Sequence, residues 1–415
     1  MKRRVVVTGI DAFTPIGSEK DKILRNLKEG VSGVDYLSLS KEVDLPVKIG
    51  GEVKDFSPED YLSKKEIKRL DRFCTMSLIN GMRAFEDSGL KASEYDHDRL
   101  GVVYGSGIAG VNTLLEDHKK MLESGWQSVG PFHVPKIVAN EAPGNISIKI
   151  GATGPNKTPV VACATGTIAI GDSFHMIRDG YADMVVCGAC ESALNPLSLA
   201  GFHVINALAD EKLYDSPEHA SRPFDKNRSG FVIAEGAGAV VLEELEHAKA
   251  RNARIYAEVL GYGMSADAYH ITAPDPEGKG ACKCMKWAVM DAGLELEDIN
   301  YINAHGTSTP FNDSIETKAI KDLFGQKAYK IPVNSTKSMV GHMLGAAGAF
   351  EFIATVLQIN HNFLHPTINH EVRDPECDLD YVPNRSRDYK INCALSNSFG
   401  FGGQNSSLVI KRYEG

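Results

Sequence analysis

One property of this chain restricts its fold more than any other: it repeats itself. A helix-like stretch, MSLINGMRAFEDSGL from Met76, runs into the strand-like RLGVVYGSG, and KCMKWAVMDAGL from Lys283 runs into INYINAHGT. Asp87-Ser-Gly-Leu90 thus answers Asp291-Ala-Gly-Leu294 at an offset of 204. PVVACATG from Pro159, read as a strand and turn, answers PVNSTKS from Pro332 at 173, and each leads into a helix of small residues. GFVIAEGAGAVVLEE from Gly230 answers GFGGQNSSLVIKR from Gly400 at 170.

The order is kept while the offset shrinks, so the first half carries extra residues, expected around 106–157 and 191–229. Each half reads strand, helix, strand, helix, strand, strand, with β-branched runs such as VVVTGI and MVVCGAC bounded by Gly. Such alternation predicts an α/β fold with a mostly parallel, buried sheet. Duplication predicts two such sheets packed about a pseudo-twofold axis, with loops of both halves meeting at one central site. The boundary is placed near residue 252, in HAKARNARIYAEV, giving halves 1–252 and 253–415.

Composition removes several classes of function. Lys and Arg total 45 against 54 Asp and Glu, a net charge of −9, so the surface as a whole does not attract nucleic acid or anionic membranes. The opening MKRRVVVTGIDAF imitates a signal peptide, but its apolar run stops at Val7, and no segment is long enough to span a bilayer. A cytoplasmic location is expected, with the eight cysteines reduced. Cys187 and Cys190 have CxxC spacing but close an apolar strand, and the nearest other close pair, Cys282 and Cys284, is remote. They read as structural thiols rather than as a zinc or redox site. GFGGQN at 400–405 leads into a strand and lacks the Gly-Lys-Ser/Thr of a phosphate loop, and Phe13 and Pro15 stand where a dinucleotide-binding turn needs glycine.

Three residues remain as candidates for chemistry. Cys163, in VVACATGTIAIG, sits at the turn into a small-residue helix, where free N–H groups and the positive end of the dipole favour a thiolate. His305 leaves a strand in INYINAHGTSTP, and His342 opens a Gly/Ala-rich helix in NSTKSMVGHMLGAAG. Because PVVACATG and PVNSTKS are equivalent in the repeat, the helices after Cys163 and around His342 are expected to be symmetric neighbours, with His305 between them. A thiolate flanked by two imidazoles suits acyl transfer and enolate stabilisation, and Lys337 is a fourth possible member.

With these segments in place, the chain resembles the β-ketoacyl-acyl carrier protein synthases, elongating condensing enzymes of the thiolase-fold superfamily, over essentially its whole length. The family's nucleophile motif corresponds to ACATG, its first histidine motif to NAHGTSTP and its second to KSMVGHMLGAAG. Thiolases carry a second catalytic cysteine where this chain has SNSFGFGG, and chain-length-factor subunits lack the nucleophile that Cys163 supplies. Met343 and Gln404 depart from the residues most common in the family at those positions.

The resemblance implies duplicated halves in αβαβα layers with pseudo-twofold symmetry. It implies decarboxylative condensation of malonyl-carrier protein with an acyl-enzyme in fatty acid biosynthesis, with polyketide-type ketosynthase or CoA-dependent thiolase as alternatives. Cys163, His305, His342 and Lys337 would be catalytic, and Phe401 and Phe231 would form the oxyanion site and the acyl gate. Asp267, Thr307, Thr309 and Glu351 would order the site. Ile108 would line the acyl pocket across a homodimer interface. The partners implied are acyl- and malonyl-loaded carrier proteins, which are acidic, and the densest basic patch, KKEIKRLDR, offers Lys64, Lys65, Lys68 and Arg69 for docking. If helical, it would place Lys65, Lys68, Arg69 and Arg72 on one face. No catalytic metal or organic cofactor is implied; a structural monovalent cation near Asn303 and Glu351 is.

Overall fold

The computed structural model describes residues 2–91 and 95–415. Ten strands form one mixed sheet: β1 (Val5–Phe13), β2 (Leu100–Gly105), β3 (Asn156–Lys157), β4 (Met184–Glu191) and β5 (Gly236–Glu244) from the first half, and β6 (Ala257–Ala266), β7 (Tyr301–Asn303), β8 (Val333–Asn334), β9 (Cys393–Gly400) and β10 (Gln404–Lys411) from the second. Their order is β3-β2-β4-β5-β1-β6-β10-β9-β7-β8, which places the five strands of each half in the same sequence outward from the centre. The repeat is therefore topological as well as local.

The two sheets expected from the duplication are in fact continuous. β1 and β6 pair antiparallel, Val5 opposite Val259, so the exposed edge that each half would otherwise present is used to join them. Five helices cover the sheet: α1 (Arg72–Asp87), α2 (Thr165–Arg178), α3 (Lys279–Asp291), α4 (Pro310–Phe324) and α5 (Ala347–His361). α2 and α5 pack on each other and each touches strands of both halves, whereas α1 lies outside the first half and α3 and α4 outside the second. Covered on both faces, β1 and β4 are buried from end to end, as their apolar composition requires.

The repeated glycines have a repeated task. Gly89 and Gly293 follow α1 and α3 with φ of 69° and 66°, a left-handed stop that any side chain would strain. The first-half insertions occupy the loops after β2 and after β4, as expected. The second half has an insertion of its own, 362–392, between α5 and β9, which no repeated motif marked. PVVACATG is not a strand: β3 is Asn156–Lys157, Val160 is exposed, and the chain turns at Ala162 with φ of 44°. Cys187 and Cys190 are buried on opposite faces of β4, one in the central core and one beneath α1, so the pair cannot chelate one ion. All eight cysteines are free.

α2 and α5 approach at backbone distance. A Cβ on Gly166 would lie 2.5 Å from the Ala349 nitrogen, and one on Gly348 would collide with Thr167. Among the described residues no helix is long and apolar enough to cross a membrane.

Candidate active site

The N-termini of α2 and α5 meet at the floor of a cavity of about 540 Å3, whose mouth is edged by the exposed Ile205 and Phe311. Each helix is preceded by a 3-10 turn, 162–164 and 344–346, and each turn opens on a residue with positive φ, Ala162 at 44° and Leu344 at 45°. L-residues held there are strained, and both stand where a catalytic side chain must be aimed. The first turn carries Cys163. The second follows His342, whose Nε2 lies 3.0 Å from Cys163 Sγ.

Backbone and side-chain donors set the imidazole tautomers. The Leu344 N–H donates to His342 Nδ1 at 3.2 Å, which leaves the proton on Nε2, facing the sulfur. Lys337 Nζ donates to the His305 carbonyl at 2.7 Å and lies 3.3 Å from His305 Nδ1, which again directs the Nε2 proton away from the lysine. The two rings stand nearly perpendicular, with centroids 5.5 Å apart. Burial, then the Lys337 charge, hold both histidines well below their ordinary pKa, so each is neutral.

Residues 331–359 are buried without interruption. Within that segment Lys337 forms an ion pair with Glu351, both side chains 1% exposed. Glu351 Oε2, Asn303 Oδ1 and Ser396 Oγ are buried without a hydrogen-bond partner among the described residues, and Ser396 stands opposite Asn303 in the β9–β7 pairing. Unpartnered oxygens are the kind of donor that a hard cation takes. Among the described residues no group of three or more His, Cys, Asp or Glu is arranged to hold a metal ion.

The thiolate expected at Cys163 is corrected by the structure. Burial pushes the thiol up to about 12, outweighing the opposing pull of Lys337 and of the Phe401 N–H that hydrogen-bonds the sulfur. The resting group is a thiol. It nonetheless stays open to the cavity, unlike six of the other seven cysteines.

Phe401 follows β9 in the turn Gly400-Phe401-Gly402-Gly403, where Gly402 and Gly403 have φ of 87° and 70°. Phe231 packs edge-on against His342 at 5.1 Å, and Phe202 bridges it to Phe401 at 5.4 and 6.4 Å. Asp267 accepts from Asn405 at 2.7 Å and from the Asp275 N–H at 3.2 Å, tying the glycine turn to the cavity wall. The Thr307 and Thr309 hydroxyls hydrogen-bond each other at 2.9 Å, and Thr309 also caps α4.

Two groups of residues lie elsewhere. Ile108 is 37% exposed, on the loop after β2, and does not line the cavity of a single chain. The basic patch is not one helix: a capping box starts a helix of only four residues, Lys64–Ile67, and Asp71 then caps α1. Lys64, Lys65, Lys68 and Arg69 remain exposed, with Ile67 and Leu70 packed inward, but Arg69 stacks on Phe132 and Arg72 is held bidentately by the buried Glu235.

Sequence reasoning missed Phe202, Glu316 and Glu191. Glu316 accepts from the N–H groups of His305 and Gly306 at 2.9 and 2.8 Å, and so fixes the loop that carries His305. Its signal was available: Asp313, Glu316, Thr317 and Ile320 form the buried stripe of α4, polar residues at core spacing.

The family model described as Beta-ketoacyl synthase, N-terminal domain, matches residues 2–248, and Beta-ketoacyl synthase, C-terminal domain, matches 256–371. The chain is 49% identical to 3-oxoacyl-[acyl-carrier-protein] synthase 2 of Synechocystis sp., covering 100% of this chain and 99% of the relative, and 48% identical to the Coxiella burnetii protein of the same name, covering 99% of each. Among solved structures it superposes with a TM-score of 0.93, at 35% identity and complete coverage of both chains, on a type II PKS acyl-carrier protein in complex with its ketosynthase bound to the hexaketide. A beta-ketoacyl synthase from Burkholderia phymatum gives a TM-score of 0.92 at 34% identity, again over both whole chains.

Proposed function

The chain belongs to the β-ketoacyl synthase family, and from that premise we infer that it condenses malonyl-acyl carrier protein with an acyl-enzyme thioester, lengthening an acyl chain by two carbons in fatty acid biosynthesis. One observation carries this reading: Cys163 Sγ stands 3.0 Å from the protonated Nε2 of a neutral His342, with a second neutral histidine beside it. The fatty-acid assignment is favoured over a polyketide one because the 3-oxoacyl synthases are 46–49% identical and the polyketide ketosynthase 35%.

In the first half-reaction Cys163 sulfur attacks the acyl thioester, and the departing carrier thiol takes up the proton that Cys163 loses. The N–H groups of Cys163 and Phe401 hold the tetrahedral oxyanion. In the second, the malonyl thioester oxygen accepts from Nε2–H of His305 and His342. The bond to the carboxylate breaks, carbon dioxide leaves, and the electron pair is held as an enolate. Its carbon attacks the acyl group, the carbon–sulfur bond breaks, and the Cys163 thiolate takes a proton from solvent. Neutral imidazoles suit this step because they stabilise the enolate by hydrogen bonding without protonating its carbon.

A monovalent cation held by Asn303, Glu351 and Ser396 oxygens would brace the Lys337 pair and enter no chemical step. A second copy of the chain would cover the first-half insertion, where Trp126 and Ile148 are 74% and 84% exposed, and would bring Ile108 into the partner's acyl pocket. An acidic carrier protein would dock on Lys64, Lys65, Lys68 and Arg69.

The test is intact-protein mass after mixing with acyl-carrier proteins of varied length. A single acyl adduct is expected on Cys163, and a label at Cys187 or Cys190 would overturn the assignment. Cys163→Gln should lose condensation but keep malonyl decarboxylation, because both histidines remain.

A further inference from the structure

Behind His342 lies a buried carboxylate that the mechanism above does not use. Glu191 ends β4, is fully buried, and accepts four hydrogen bonds. Oε1 takes the Ser106 hydroxyl at 2.9 Å and the Ile108 N–H at 3.1 Å; Oε2 takes the Gly107 N–H at 2.8 Å and the Gly345 N–H at 3.1 Å. Three of these donors belong to the loop that bears Ile108. The fourth belongs to the turn whose first residue, Leu344, donates to His342 Nδ1.

The cradle has no slack. A Cβ on Gly107 would sit 2.7 Å from Glu191 Oε2, and one on Gly345 would sit 2.6 Å from the Gly107 nitrogen and 2.8 Å from the same carboxylate oxygen. Both oxygens face only donors, so the carboxylate acts as an acceptor throughout, and an amide in its place would turn an N–H2 toward N–H groups. A displacement of Ile108 therefore reaches Gly345 through one rigid group, and Gly345 is the next residue after the one that fixes the His342 tautomer.

We propose that Glu191 is a positioning residue that aims His342 and links the Ile108 loop of the same chain to it, so that the partner subunit's acyl chain, seated against that loop, bears on the decarboxylation step. The proposal rests on the condensing-enzyme reading and deepens it. Charge-assisted acceptors of this kind give the strongest positioning, and a displacement of about 1 Å at a reacting group can cost about a hundredfold in rate.

The experiment compares wild type with Glu191→Gln, using malonyl-carrier protein and enzymes pre-acylated with a short or a long chain. The variant should acylate Cys163 within about threefold of wild type and keep KM for malonyl-carrier protein within about twofold, while kcat for decarboxylation falls on the order of 10- to 100-fold. In wild type the decarboxylation rate should differ between the two chain lengths, and in Glu191→Gln that difference should vanish. If wild type shows no dependence on the acyl chain, or if the variant keeps wild-type kcat, the proposal is wrong. Equal loss of acylation and decarboxylation in a folded variant would make Glu191 a general scaffold residue and also overturn it. Should Glu191→Gln fail to fold, Gly107→Ala, which pushes on the same carboxylate oxygen, must give the same split between acylation and decarboxylation for the proposal to stand. Absence of any decarboxylation by wild type would instead defeat the functional reading itself, so the two failures are distinguishable.

Discussion

The Lys337–Glu351 pair allows stability and catalysis to be separated. Both side chains are 1% exposed, and Glu351 Oε2 already lacks a hydrogen-bond partner among the described residues, so replacing Lys337 by Met keeps the apolar stem but leaves a buried carboxylate unpaired. Breaking a buried pair from one side typically costs about 3–5 kcal/mol, a large share of the roughly 5–15 kcal/mol that holds a domain folded. Glu351→Leu should cost a similar amount by stranding the ammonium. The double variant Lys337→Met/Glu351→Leu carries neither charge and should recover at least half of the loss, because removing a whole buried pair is often near neutral. Activity should not recover. His305 loses the Lys337 ammonium beside Nδ1 in Lys337→Met and in the double variant, so malonyl decarboxylation should stay depressed in both. The assay is a set of urea melts at one protein concentration beside decarboxylation rates on the same samples. A loss below about 1 kcal/mol in Lys337→Met, or restored decarboxylation in the double variant, would refute the reasoning.

Four further outcomes are expected. Because His305 and His342 are held well below 6.5, the decarboxylation rate should pass through pH 6.5 without a step, and a midpoint there would contradict the neutral assignment. The same shifts affect stability. The unfolded chain binds more protons than the native one below about 6.5, so the contribution of His305, His342 and His365, the last lowered to about 4, is complete above 6.5 and is lost as pH falls; on the order of 2 kcal/mol should be lost through His365 alone between pH 7 and 4.5, read from urea midpoints. Lys65→Glu with Arg69→Glu should raise KM for carrier-bound substrate on the order of tenfold and flatten its salt dependence, while alkylation of Cys163 by a small reagent stays unchanged; unaltered carrier kinetics would place the dock elsewhere. Ile108→Phe should depress rates on long acyl chains far more than on short ones, and a uniform loss would show that Ile108 does not face the acyl pocket.

The parts of the site written in local motifs are legible in the sequence. Cys163, His305 and His342 each follow an apolar run and open a small-residue or hydroxyl-rich turn, and the duplication predicted their convergence. What escaped depended on partners distant in sequence. The joining of two sheets into one requires Val5 to meet Val259, and neither strand announces its neighbour. Glu191 closes a run that reads as an ordinary buried strand, and its four donors come from residues 106–108 and 345. The basic patch failed as a single helix because charge spacing is blind to a competing cap: Asp71 starts a new helix, and Glu235 claims Arg72. The thiol of Cys163 was misjudged because a helix N-terminus is visible in sequence whereas the desolvation that opposes it is not.

The close approach of Gly166 and Gly348 has a consequence for hybrids between relatives. The nucleophile belongs to one half, both histidines to the other, and the helices that carry Cys163 and follow His342 meet where a glycine of each faces the backbone and the short side chains of the other, Ala349 and Thr167, leaving little room to take up error. Recombined proteins that take the first half from one parent and the second from another should therefore be active only when residues 165–167 and 347–349 come from parents with the same small-residue pattern. Crossovers that ignore this seam should yield folded, acylatable proteins that no longer condense.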